Sequence, residues 1–376
     1  MRKICIVAFD FGGENLNLQP WRYLIEMMQI IPDNEIIIIT NYDKIDTEYV
    51  YRFKIKKNIQ IHPFKTKALR ETIEQINPDI IFWWCSRKTF LFKSLFKKLK
   101  IPIKLFYTGP IYKVTEVISV IKFLSLKIIM PYLLEALVPI KLLSQFINSD
   151  LVRDITIMTE ANQNRLEIAG VRKKKLIKIV QGFSGNSETI KYKINQTNQI
   201  LFMGRASKIR GIEFLLKSYA QLSKDIPSNL VILARSATDK QVSHLLELAY
   251  QYGLKNNVIK ILGGWLSRDD LELHISQSSF LVQPFLLIPS ETPISILESM
   301  SYGKPVIAPN LGGIPELLRH TGLVYKHNDP NDLVRVMREI ILNKNLYFRL
   351  SENCKQYIEH YPSWGKLTVE IQKSFN

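Results

Sequence analysis

Short apolar runs bounded by polar or glycine positions alternate with stretches whose apolar residues recur at helical spacing. In the first half the runs at 3–9, 35–40, 59–62, 79–84, 103–107, 155–158 and 176–180 predict strands. Residues 21–28, 69–76, 90–99 and 160–168 predict helices between them. The strand runs are continuously apolar rather than alternating, which is the pattern of a parallel sheet covered on both faces. Ligands of such sheets collect beyond the carboxyl ends of the strands.

The same alternation resumes after a polar stretch at 183–199, rich in Asn, Thr, Ser and Lys, which reads as a hinge. Strands are expected at 200–203, 229–234, 258–262, 279–283, 305–308 and 323–324, and helices at 212–222, 239–252, 314–318 and 333–342. Ser267 with Asp270 reads as a helix cap. A last helical stretch at 350–375 breaks at 361–363. The expected organisation is therefore an α/β domain at 1–182, completed by a C-terminal helix at 355–376, and a second α/β domain at 200–354.

Composition changes this picture in two places. The 376 residues carry a formal charge of +17, and residues 1–200 hold 31 basic and 18 acidic side chains, a net +13. Nucleic acid, anionic lipid or a phosphorylated substrate could each answer to that charge, but no zinc-finger or aromatic single-strand-binding pattern accompanies it, which argues against nucleic acid. Residues 112–147 are unusually apolar, yet Lys122, Lys127, Pro131, Glu135 and Lys141 interrupt them well short of the about 20 residues a spanning helix needs. Two readings stand: helices packed on the sheet with a solvated basic face, or an amphipathic surface lying on anionic headgroups. Cys5, Cys85 and Cys354 have no metal-ligand spacing and fit a reducing compartment, and the opening residues read as a strand rather than a secretory leader. The expected setting is the cytoplasm or the inner face of the cell membrane.

Candidate chemistry concentrates in the second half. Gly204, Arg205, Lys208, Arg210 and Gly211 lie between a strand end and a helix start, where side chains and amides could together meet a diphosphate; a plain basic surface loop has the same appearance. Residues 291–318 give a helix carrying Glu298, a strand, the turn Leu311, Gly312, Gly313, and a fresh helix from Ile314 with Pro315 in its first turn, again an anion-binding arrangement. In the first half, Gly12 and Gly13 follow a strand without matching a dinucleotide fingerprint, and a tight turn explains them equally well.

The sequence GKPVIAPNLGGIPE from Gly303 to Glu316, with Glu298 before it, resembles the nucleotide-sugar site of the retaining glycosyltransferases of family 4, known as glycosyl transferases group 1. The resemblance implies a GT-B fold, two Rossmann-like α/β/α domains facing a cleft, with a UDP- or GDP-linked donor in the second and the acceptor in the first. It implies glycosyl transfer to a glycan or other acceptor with retained anomeric configuration and no essential metal; the net +13 of the first half and the apolar 112–147 stretch favour a lipid-linked or phosphorylated acceptor over a free sugar. Arg205 and Arg210 would hold the diphosphate, with Lys208 beside them. Glu298 would bond the ribose, and the 311–314 amides would face the sugar or phosphate. The Gly12–Gly13 loop would face the acceptor. The family's first glutamate falls eight residues before Glu298, where this chain has Ser290; Glu291 is the neighbouring acid. The histidine that many members carry after the last strand before 112 is absent, the residues there being Tyr107, Thr108 and Gly109. A catalytically silent nucleotide- or glycan-binding scaffold, and a GT-B nucleotide-sugar epimerase, are the alternatives.

Overall fold

A computed structural model describes residues 2–12, 21–31, 34–43, 53–183, 197–288 and 290–375, so Gly13 and most of the expected hinge lie outside the described residues. The chain divides into two compact units. One holds residues 1–114, 130–182 and 362–376, the other 115–129 and 183–361.

In the first unit, β1 (Lys3–Val7), β2 (Glu35–Ile39), β3 (Lys54–Lys56), β4 (Ile80–Trp84), β5 (Ile103–Phe106), β6 (Val152–Ile157) and β7 (Leu176–Lys178) form one sheet in the order β3-β2-β1-β4-β5-β6-β7. Neighbouring strands run parallel. Strand periodicity sorts the side chains: Cys5, Val7, Ile37, Ile39 and Trp83 enter one core, and Ile4, Ile6, Ile36, Ile38 and Phe82 the other. Helices Lys67–Ile76, Lys93–Leu99 and Ile140–Ile147 cover the former. Helix Trp21–Gln29 covers the latter together with the C-terminal helix Trp364–Phe375, which contributes Leu367, Ile371 and Phe375. Each of these three side chains, fully buried, is worth about 1.5–3 kcal/mol. Trp364 stands edge-on to Tyr23 at 5.1 Å between ring centroids. It also lies so close to Gly182 that a Cβ there would meet Trp364 Cδ2 at 2.4 Å. Only glycine fits beneath that ring.

The strand expected at 59–62 is a loop; its place at the sheet edge is taken by β3, whose Ile55 pairs with Ile38 of β2. Asn58 at φ 56° breaks the extended geometry after β3, and the Ile59 amide then donates to Thr40 O at 3.2 Å. The helix expected at 90–99 begins as a 3-10 turn, Arg87–Phe92, because Ser86 and Thr89 form a capping box three residues upstream of the apolar pattern. One charge enters the sheet itself. Lys104 of β5 faces Asp154 of β6 across the register at 2.5 Å, with relative exposures of 0% and 6%. Burial lowers the Lys104 pKa, and Asp154 opposes that shift.

Helix Leu126–Leu137 leaves Leu126, Met130, Leu134 and Leu137 exposed along one side. Among the described residues no helix is long and apolar enough to cross a membrane.

In the second unit, β8 (Gln199–Arg205), β9 (Asn229–Arg235), β10 (Ile259–Gly264), β11 (Phe280–Val282), β12 (Val306–Pro309) and β13 (Gly322–Tyr325) lie in the order β10-β9-β8-β11-β12-β13, all parallel. The order reverses between β8 and β11, so the loops leaving these two strands bound a crevice at the carboxyl edge. Ser267 accepts from the Asp270 amide, as its spacing predicts. Residues 115–129, which the sequence places within the first domain, belong by their contacts to this unit. Phe123 stands edge-on to Phe214 at 5.2 Å, and Asn328 Nδ2 donates to Ser119 Oγ at 2.6 Å. Helix Lys344–His360 also stays here, with Leu346, Tyr347, Leu350 and Cys354 buried, so the chain returns to the first unit only at 362 rather than 355.

Candidate functional site

The loop after β8 is built tightly. Gly204 and Arg205 close the strand, Lys208–Arg210 forms a 3-10 turn, and Gly211 at φ 74° opens helix Ile212–Leu222. Gly211 cannot be replaced without displacing backbone, since a Cβ there would lie 2.0 Å from Pro284 O. The loop rests on residues 285–288. Leu286 and Leu287 both donate their amides to Ile209 O, at 2.9 and 3.1 Å, and Phe285, Leu286, Leu287 and Ile288 are all buried. The apolar run 285–288 is thus the floor of the basic loop.

On this floor the Arg210 guanidinium lies over the Phe285 ring at 5.7 Å. Burial, with Arg205 and Arg235 adding like charge, pushes the Arg210 pKa down to about 10, which still leaves it charged at neutral pH. Arg205 and Arg235 are register partners at the ends of β8 and β9, and Arg235 stacks over Trp265 at 4.4 Å. Burial lowers the Arg235 pKa too, an effect that Glu298 opposes and Arg205 reinforces. Glu298 sits on helix Ile294–Ser301. Burial raises its pKa, against the pull of Arg235 and Arg268. Arg205, Arg210, Arg235 and Glu298 are therefore one electrostatic cluster with a surplus of positive charge, suited to an anion with several oxygens.

Gln283, fully buried at the end of β11, ties the cluster's two supports together: its Nε2 donates to Met203 O of β8 at 2.7 Å and to Ser295 Oγ of the Glu298 helix at 3.0 Å. Gln283 Oε1 and the Ser290 Oγ have no hydrogen-bond partner among the described residues. Glu291 is buried just before the same helix.

The glycine turn is narrower in its offer than its sequence implies. Leu311 donates its amide to Pro309 O and Ile314 to Leu311 O, at 2.8 and 3.2 Å, while both side chains anchor in the core. The expectation of ligand-facing amides at 311–314 is thereby reduced to Gly312, at φ 55°, and Gly313, the residue before helix Ile314–Leu318. Lys208 is exposed and lines a cavity with Lys122 and Lys217, a different setting from that of the arginines. Gly12 is buried in the first unit, after Phe11, whose amide donates to Thr40 Oγ1 at 3.1 Å. Arg235, Trp265, Arg268 and Gln283 were not singled out by the sequence. A usable signal was there for Arg235 alone, which ends its strand as Arg205 ends the neighbouring one.

Among the described residues no three His, Cys, Asp or Glu side chains stand together as a metal site.

Residues 186–357 match the family model described as Glycosyl transferases group 1. An uncharacterized glycosyltransferase of Methanocaldococcus jannaschii is 29% identical over 199 residues, 51% of this chain and 52% of that protein, so the chain spans about half the length of this relative. Two solved structures are similar over essentially the whole chain. Sucrose-phosphate synthase from Thermosynechococcus elongatus has a TM-score of 0.68 at 16% identity, covering 100% of this chain and 98% of that one. The Anabaena protein HepE in complex with UDP-glucose has a TM-score of 0.66 at 16% identity, covering 100% and 99%. These likenesses and the two parallel sheets place the chain in the GT-B fold, the α/β class expected from its sequence.

Proposed function

We propose that the protein is a retaining glycosyltransferase of the family 4 type, moving a sugar from a UDP- or GDP-linked donor to a glycan, lipid-linked or phosphorylated acceptor. The observation that carries this reading is the convergence of Arg205 and Arg235, at the ends of adjacent strands, with Arg210 of the following turn, which lies over Phe285, beside Glu298. The family match over 186–357 and the UDP-glucose held by a protein of the same fold support it.

In the transfer, the bond between the anomeric carbon and the diphosphate oxygen breaks. The acceptor oxygen bonds that carbon on the same face, and its proton passes to the departing diphosphate. Negative charge grows on the leaving group, and guanidinium groups fixed in advance stabilise that growth more than they stabilise the bound donor. Glu298 accepts hydrogen bonds from the ribose. Arg235 and Arg268 favour its ionised form against the burial that raises its pKa. Gly312 and Gly313 present backbone to the sugar or phosphate, Glu291 contacts the sugar, and Gly12 with Gly13 serves the acceptor. No metal is essential, because the arginines neutralise the diphosphate.

Two observations favour an acceptor at an anionic membrane surface on the cytoplasmic side: the net +13 of residues 1–200, and the exposed stripe Leu126, Met130, Leu134, Leu137 with Lys122, Lys127 and Lys141 nearby in sequence. Cosedimentation with anionic liposomes at low salt tests this part; activity on a soluble glycan without liposome binding removes it.

Calorimetric titration with UDP-, GDP- and ADP-sugars, paired with assays of donor hydrolysis and transfer, tests the whole reading. One donor is expected to bind and to release its sugar with retained configuration. Tight binding without turnover would make the protein a scaffold, and release of free nucleotide with an epimerised sugar would make it an epimerase.

A further inference from the structure

A cavity of about 240 Å³ in the second unit is lined by Lys122, Phe123, Lys208, Gly211, Glu213, Phe214, Lys217, Tyr252 and Leu286. Its chemistry is divided. Phe123, Phe214 and Leu286 make an apolar interior, and Tyr252 is part-exposed at its side. The exposed Lys122, Lys208 and Lys217 supply three ammonium groups against the single carboxylate of Glu213. The first turn of helix Ile212–Leu222 also reaches the cavity, and Gly211 before it offers no side-chain cap.

We infer that this cavity binds a phosphate ester other than the donor: the apolar walls take the organic body, and the lysines take the phosphate. Lysines fit a monoester, which flexible point charges can approach from several sides, whereas the arginine forks of the neighbouring cluster fit a diphosphate fixed in one plane. The 208–211 turn is common to both places. Arg210 lies over Phe285 on one, and Lys208 with Gly211 lines the other. A ligand here is held between helix Ile212–Leu222 and the 115–129 segment, since Lys122 and Phe123 come from that segment and Phe123 already packs on Phe214. The inference goes beyond donor binding and stands independently of it. The ester's source is either a soluble sugar phosphate or the phosphate of a lipid carrier.

The test is titration of the full chain with phenyl phosphate at constant ionic strength. The variant K122A/K217A is expected to bind it about tenfold more weakly or worse while keeping its affinity for nucleoside diphosphates. R210A is expected to show the reverse. Equal affinity in wild type and K122A/K217A, no binding to wild type, or equal loss in R210A would overturn the site. Amide exchange on the wild type guards against misfolded variants: phenyl phosphate should slow exchange across 115–129 and 208–217, and protection confined to other regions would count against the proposal. Repeating the titration with farnesyl phosphate separates the sources, a gain of about tenfold assigning a lipid carrier and equal affinity a soluble ester.

Discussion

The Arg210 guanidinium lies 5.7 Å over the ring of Phe285, and Gly204, lacking a side chain, leaves room for its Nη1. A Cβ at position 204 would lie 3.0 Å from that nitrogen and 3.4 Å from Arg210 Cδ. The nearest obstacle is the far end of a flexible side chain and the backbone sits at φ 159°, so Gly204→Ala should shift Arg210 at a modest cost in stability and without unfolding the unit. Nucleoside diphosphate affinity is expected to fall about tenfold, because fixed charges lose effect when displaced by even an ångström. Thermal melts beside calorimetry check this; a large drop in Tm with unchanged affinity would contradict it.

Arg235 should matter as much as the arginines legible in the loop. Arg235→Ala is expected to weaken nucleotide-sugar binding by about tenfold or more, as loss of a charge-assisted contact does. Arg235 also opposes the burial that raises the Glu298 pKa, so its removal moves that pKa further up. Donor affinity measured against pH should then begin to fall at a higher pH in the variant than in the wild type.

Lys304 is 2% exposed, its Nζ has no hydrogen-bond partner among the described residues, and burial pushes its pKa down to about 8 from 10.5. The folded state resists the proton that the unfolded chain accepts. Stability from this group is present above pH 10.5 and is lost as pH falls through about 8. At pH 7 Lys304→Met should therefore be more stable than wild type by about 3 kcal/mol, using about 1.4 kcal/mol per pKa unit. The advantage should shrink between pH 8 and 10.5, which urea melts across that window would follow.

The Lys104 and Asp154 pair predicts non-additivity. Lys104→Met leaves Asp154 buried with Arg153 at 3.6 Å as its remaining ion-pair partner among the described residues. The single change should cost about 3–5 kcal/mol, and the double change Lys104→Met with Asp154→Leu should recover most of it. Chemical denaturation of the three variants decides the point.

Much of this architecture can be read from patterns local in the chain. EIIII and IIFWW declare buried strands, Ser267 and Asp270 declare a helix start, and the spacing of Gly204, Arg205 and Arg210 declares a basic loop, because each rests on residues a few positions apart. Arg235 carries only the faint signal of ending a strand, since its partner Arg205 lies across a strand register 30 positions away. The role of residues 285–288 as a floor is not legible, because apolarity does not say which backbone will rest on it. The 115–129 segment follows a strand of one unit yet packs on aromatic residues of the other, a choice made by tertiary contact that no local periodicity encodes. Of the four glycine-turn positions, two spend their amides within the turn, and only backbone geometry distinguishes them from the rest.

The seat of Trp364 against Gly182 sets the timetable on the ribosome. The sheet of the first unit can be assembled once residues up to 182 have emerged, but the face lined by Ile4, Ile6 and Phe82 gains Leu367, Ile371 and Phe375 only after the whole intervening unit has been made. The half synthesised first is thus the half completed last. It carries an apolar face only partly covered, by helix Trp21–Gln29, through the synthesis of about 180 further residues, at roughly 5–20 residues per second an interval of tens of seconds at the slow end.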